Sequence, residues 1–205
     1  MADSRNPKIS LGGFAEFASA RASGRITAVQ RLIANEFGGY EPSHDFYRQF
    51  RIAIADGIAN GDDALRVRRA VSDCTATRRG HYEVLAAGWN RWRRGKNLEV
   101  FTQKREWHDS GLDVRVAPQF IYRAKRVTFL VWPYFKEAEL SRDGIQAAIR
   151  LMELTYQDSE HRPALLDVRR GRLHTAGRRR RGFDAWLTSE AAAFISLLAS
   201  IRNAA

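Results

Sequence analysis

Between Gly111 and Arg172 the chain passes from a two-residue hydrophobic period to a helical one and back, a succession that few folds accommodate. Leu112, Val114 and Val116 alternate with Asp113 and Arg115, the pattern of a half-buried strand. After a polar break at Arg123–Arg126, Val127, Phe129 and Val131 repeat it. Ser141 is placed to cap a helix whose Ile145, Ala148, Ile149, Met152 and Tyr156 fall on one face. Ala164, Leu166 and Val168 then resume the two-residue period. Strand, turn, strand, helix, strand predicts a hairpin followed by a crossover helix that covers the sheet.

The preceding residues read mostly as helix. Ile26, Val29, Ile33 and Phe37 follow helical spacing, and Gly38-Gly39 is a stop. Ser43 caps a second helix with Tyr47, Phe50, Ile54 and Ile58 on one face, and a third runs from Asp62-Asp63 to about Val71. The connection GGYEPS is longer than a helix-turn-helix normally uses, which favours a helical cap packed on the sheet. A longer helix follows, with Tyr82, Leu85, Trp89 and Trp92 as one stripe ending near Gly95. The first strand candidate is 97–107, and Asp109-Ser110-Gly111 forms a turn. Leu187, Ala191, Phe194, Leu198 and Ile201 mark a closing helix. The expected class is therefore α/β (α+β): a helical N-terminal region (1–73), then a mixed-sheet core (74–205) in α-β-β-β-α-β order, with a basic loop (177–182) and a C-terminal helix.

Charge bears most directly on partners. A net +11 over 205 residues points to an anionic partner, with nucleic acid the commonest kind. The charge is concentrated in two places. One is Arg78, Arg79, Arg91, Arg93, Arg94, Lys96, Lys104 and Arg105, diluted by Glu83 and Glu99. The other is Arg169, Arg170, Arg172 and the run Arg178, Arg179, Arg180, Arg181, without an acid among them. Together they exceed the net charge of the whole chain, so the remainder is slightly acidic. Guanidinium is the natural bidentate ligand for phosphate. Trp89 and Trp92 continue a core stripe, which leaves Trp107 and Trp132 as the better base-stacking candidates.

Several chemistries are excluded or unsupported. A lone Cys74 permits neither an intrachain disulfide nor a thiolate zinc cluster. The five histidines (His44, His81, His108, His161, His174) lack a metal-ligand spacing, which argues against a preformed zinc site. No G-x-S-x-G or Walker-type loop occurs. No apolar run reaches the roughly 18 residues of a membrane span, and the first residues lack a secretory apolar core, so the expectation is a cytoplasmic protein away from membranes.

Asp113 on a strand after Gly111, Lys136 at the end of the next strand and Gln146 on the following helix complete the pattern. In this order of elements, residues of about 78–173 resemble the core of the PD-(D/E)XK (restriction-endonuclease-like) nuclease superfamily, in its exonuclease branch. The resemblance implies catalytic roles for Asp113, Lys136 and Gln146, and magnesium or manganese held by Asp113 with a second acid such as Glu137. Glu99 and Glu83 are the other acids that could swing in to complete such a site. The motifs are incomplete: Tyr134 stands where the acid before the lysine is expected, Pro133 interrupts that strand, and Arg150 replaces a tyrosine. The reading that follows is a nucleic-acid-binding protein on a nuclease-like scaffold without a catalytic metal site or other cofactor. DNA is the favoured partner, with phosphates along Arg91, Arg93, Arg94, Lys96, Lys104, Arg105 and Arg178–Arg181. The alternatives are a divalent-metal-dependent nuclease using Asp113 and Lys136, and a basic adaptor that docks an acidic protein.

Overall fold

A computed structural model of the chain describes residues 6–34, 45–179 and 181–204. The Gly38-Gly39 stop, the Ser43 cap, His44 and Arg180 lie outside the described residues. The N-terminal elements are β1 (Lys8–Ser10), α1 (Leu11–Ser19), α2 (Ser23–Leu32), α3 (Arg48–Asn60), α4 (Asp63–Ser72) and α5 (Ala76–Arg93). Then come β2 (Asn97–Val100), β3 (Arg105–Asp109), β4 (Leu112–Val116), β5 (Phe120–Arg123) and β6 (Thr128–Tyr134). The chain continues through α6 (Arg142–Thr155), β7 (Arg162–Asp167), β8 (Arg172–Thr175) and α7 (Phe183–Asn203). This is the expected α+β class, with an N-terminal helical segment and a C-terminal helix.

The strands form two mixed sheets, ordered β1-β4-β3 and β2-β5-β6-β7-β8. Ser110 and Gly111 both take positive φ, 49° and 76°, as a two-residue hairpin turn requires, and they close β3 onto β4 with Asp109 opposite Leu112. Leu112, Val114 and Val116 are fully buried while Arg115 is exposed, so the alternation read from sequence places the faces correctly. The partner differs from expectation. β4 pairs with β1 and β3, whereas β6 pairs with β5 and β7, so the strand bearing Asp113 and the strand leading to Lys136 do not form a hairpin. The single strand expected over 97–107 is two strands, one in each sheet.

Parallel β6 and β7 are joined by α6, whose Ser141 side chain accepts a bond from Gly144 N at 3.1 Å. Two hydrophobic cores lie on the two faces of the five-stranded sheet. Leu130, Tyr134 and Leu165 point to one, filled by α1, α6, α7 and the three-stranded sheet. Phe120, Val131, Ala164, Leu166 and Val168 point to the other, covered by α3, α4 and α5. The helical cap is thus present, but the described residues before 74 form no separate core, because α1 belongs to the first cluster and α3–α4 to the second. Pro133 is accommodated because the last β5–β6 pair is Phe120 with Val131. Beyond it β6 has only β7 beside it, and a missing N–H on the open side costs no ladder bond. No helix among the described residues is long and apolar enough to cross a membrane.

Candidate nucleic-acid interface

Two close backbone approaches position the basic residues. A Cβ on Gly88 of α5 would stand 1.9 Å from Val168 O, so only glycine lets this helix lie against the turn after β7. That contact sets Arg91 beside the turn: a Cβ on Gly171 (φ +60°) would meet Arg91 Nε at 3.4 Å. Arg91 therefore lies beside this turn, and exposed Arg172 follows it at the start of β8, whereas Arg169 is half-buried. Arg170 is engaged by Asp167 Oδ2 at 2.8 Å and Glu137 O at 2.9 Å.

The second group lies where α5 ends. Gly95 (φ +68°) turns the chain into β2, and Asn97 pairs with Arg123. Residues 94–96 and the 124–127 turn thus leave the same end of the sheet. Arg94, Lys125 and Arg126 are exposed there, and among the described residues none of them has a carboxylate partner. Lys96 Nζ lies 5.3 Å from the Trp92 ring centroid and 5.9 Å from that of Tyr122, a cation–π arrangement. Tyr122 stacks on half-buried Phe129, with centroids 5.9 Å apart and planes inclined by 19°.

Other cations read as phosphate ligands have structural duties. Arg93 Nε bonds buried Asp63 Oδ2 at 2.9 Å, and Trp89 Nε1 donates to the same carboxylate at 3.2 Å. Arg105 joins β3 to the end of α6 through Asp158 Oδ2 (2.8 Å) and Thr155 O (3.1 Å), over the Tyr156 ring. Arg179 pairs with Glu153 on α6. Lys104, Arg178 and Arg181 are exposed. The 176–179 segment follows α6, on the sheet face opposite α5, because Gln146 binds Thr175 O (3.2 Å) and Gly177 N (2.9 Å). Arg178 and Arg179 therefore follow the sheet face opposite α5 and do not line one groove with Arg91, Arg94 and Lys96. Trp107 and Trp132 are also not free platforms, since Trp107 packs 5.8 Å from Phe14 and Trp132 lies 6.0 Å from Tyr134.

The residues assigned to nuclease chemistry are dispersed. Gln146 holds the strap just described. Lys136 Nζ pairs with Glu16 at 2.7 Å, beyond the carboxyl end of β6. Exposed Glu137 is 3.9 Å from His81 Nδ1, and Glu99 is paired with Arg123 at 2.5 Å. Asp113 lies on the outer face of the other sheet, where His108 Nδ1 (2.8 Å) and Asn6 Nδ2 (3.1 Å) reach its Oδ1. The His108 bond is the main cause holding that carboxyl below the usual range. Glu106, His108 and Asp113 bring ligand atoms within 4.8 Å of one another. Asp113 is thus grouped with Glu106 and His108, not with Glu137 and Lys136 as the nuclease pattern would require.

In the sequence Lys125 and Arg126 read only as a strand break and Phe129 only as a strand residue, and Tyr122 carried no signal. Only the pairing of β2 with β5 brings them to Arg94 and Lys96. The chain matches no protein-family model, and no curated protein matches it significantly.

Proposed function

We propose that this protein binds nucleic acid, DNA in the first instance, through the end of the five-stranded sheet where α5 meets the β5–β6 turn. One observation carries the reading: Lys96 lies over the Trp92 and Tyr122 rings, and exposed Arg94, Lys125 and Arg126 stand on the two turns that leave the same end of the sheet, with no carboxylate partner among the described residues. Clustered like charges repel, and a phosphate backbone relieves that repulsion by displacing condensed counterions. Exposed Arg91 and Arg172, on either side of the turn after β7, extend the positive potential.

The order α5, β2, β5, β6, α6, β7 keeps an α-β-β-β-α-β succession, but with β5 in the place that the resemblance gave to the strand of Asp113, so a nuclease-like scaffold requires the β3–β4 hairpin to be an insertion. On this reading the scaffold binds without cutting, because Asp113 and Lys136 belong to separate sheets and separate partners. The test is fluorescence anisotropy with labelled single- and double-stranded oligonucleotides on the wild type and on Arg94→Ala/Lys96→Ala/Lys125→Ala/Arg126→Ala. The expected result is measurable wild-type binding that the quadruple variant loses while keeping the wild-type circular dichroism spectrum. Unchanged affinity in the variant overturns the assignment. Recovery of an acidic protein, from lysate already cleared of nucleic acid, by wild type but not variant would transfer the same face to the adaptor reading.

A further inference from the structure

The outer face of the three-stranded sheet carries a second constellation, independent of nucleic-acid binding. We propose that Glu106, His108 and Asp113 form a site for a divalent transition-metal ion of the zinc class. Glu106 and His108 are two residues apart on β3 and so share a face. Asp113 stands opposite His108 in the antiparallel register, on that same face. A helical or short-loop ligand spacing is therefore unnecessary, which explains why the histidine spacing in the sequence gave no sign of it.

The geometry is near what such an ion needs. Metal–ligand bonds of about 2.0–2.2 Å in a tetrahedral site place donor atoms roughly 3.3 Å apart. His108 Nδ1 and Asp113 Oδ1 share a hydrogen bond at 2.8 Å, which the ion replaces as the two atoms part to about 3.3 Å, and all three donors lie within 4.8 Å. The remaining contraction is a rotation of the exposed Glu106 side chain. The backbone beneath is fixed, because Leu112, Val114 and Val116 anchor β4 in the core. One imidazole with two carboxylates favours zinc, cobalt, nickel or copper over magnesium, which prefers an oxygen set. All three ligands come from one side, so the outward coordination position is left to water or an incoming ligand.

Two cations oppose the ion. Lys8 pairs with Glu106, and Arg115 is Glu106's cross-strand neighbour. Binding requires Lys8 to release Glu106, and its removal should strengthen the site. Asn6 donates to Asp113 Oδ1 and orients that carboxylate as an outer-shell partner.

The experiment is calorimetric titration of the full chain with zinc chloride, on the wild type and on His108→Ala, Glu106→Gln, Lys8→Met and His161→Ala. The expected result is saturable one-to-one binding, weakened more than about tenfold by His108→Ala and Glu106→Gln. Lys8→Met tightens binding, and His161→Ala leaves it as in the wild type. Thermal melts provide a second readout, since zinc raises the midpoint of the wild type but not of His108→Ala. Absence of saturable binding in the wild type, or wild-type affinity in His108→Ala, overturns the proposal. A loss of oligonucleotide binding in the anisotropy assay bears on neither outcome, because the two sites share no residue.

Discussion

Replacing Gly88 by alanine tests whether α5 rests on the turn after β7 as closely as the structure describes. The added carbon would lie 1.9 Å from Val168 O and 2.6 Å from Arg169 O, against the 3.0 Å below which Cβ contacts are essentially never seen. The obstacles are backbone carbonyls, so helix or turn must move by about an ångström. Overpacking of this kind costs about 1–3 kcal/mol, and a rigid backbone obstacle argues for the upper end. Alanine returns about 1 kcal/mol of helix propensity, leaving a net loss of about 2 kcal/mol. For a chain of this length that lowers the melting midpoint by about 4–8 °C. Gly80 supplies the control within the same helix. It has no atom within 4 Å of its would-be Cβ, so Gly80→Ala should stabilise by up to about 1 kcal/mol. Thermal and urea unfolding of both variants decide the matter. A Gly88→Ala protein as stable as the wild type would refute the close approach, and with it the placement of Arg91 beside the turn at Gly171.

Two further outcomes are expected. The Tyr156 hydroxyl, within bonding distance of Gln103 O (2.9 Å) and Val116 O (3.1 Å), ties the 101–104 connection to β4, and burial pushes its pKa up to about 12. Tyr156→Phe removes the single O–H that these two carbonyls share and should cost about 1–2 kcal/mol in urea unfolding, whereas an unchanged midpoint contradicts the tie. Burial holds the His174 imidazole below its ordinary 6.5, so between that value and the lower folded value the unfolded chain binds more protons. Stability should therefore fall as pH drops below about 6.5, then level off once the folded imidazole also protonates. His174→Gln should flatten that portion of the pH–stability curve, and an identical slope in the variant would remove His174 as its cause.

Much of the fold was legible because its signals are local. The alternation at Leu112–Val116, the Ser141 cap, the stripe ending in Trp89 and Trp92 and the Ser110-Gly111 turn each depend on near neighbours. Partner choice was not legible. Alternation says which face of a strand is buried but not which strand lies beside it, so β4 and β5 could not be assigned to different sheets. β1 was invisible at three residues, and the two glycines of Leu11–Ser19 weaken the helical signal of α1. Charge posed the same difficulty. Arg93 and Arg105 look like free cations until folding brings Asp63 and Asp158 to them from 30 and 53 residues away. Lys125 and Arg126, apparently a mere break between strands, gain their meaning only from the pairing of Asn97 with Arg123. The Glu106–His108–Asp113 group depends on cross-strand register in the same way.

The central claim, that an unneutralised basic end of the sheet engages phosphates, is tested most directly by the salt dependence of oligonucleotide affinity. Four cations at about 0.9 released counterions each give a log–log slope of about −3.6 on duplex DNA, or about −2.8 on a single strand at about 0.7 each. Between 50 and 200 mM salt the duplex affinity should fall about 150-fold, and substituting alanine at Arg94 and Arg126 alone should halve the slope. An affinity indifferent to salt, or a slope unaltered by those two substitutions, would contradict the account.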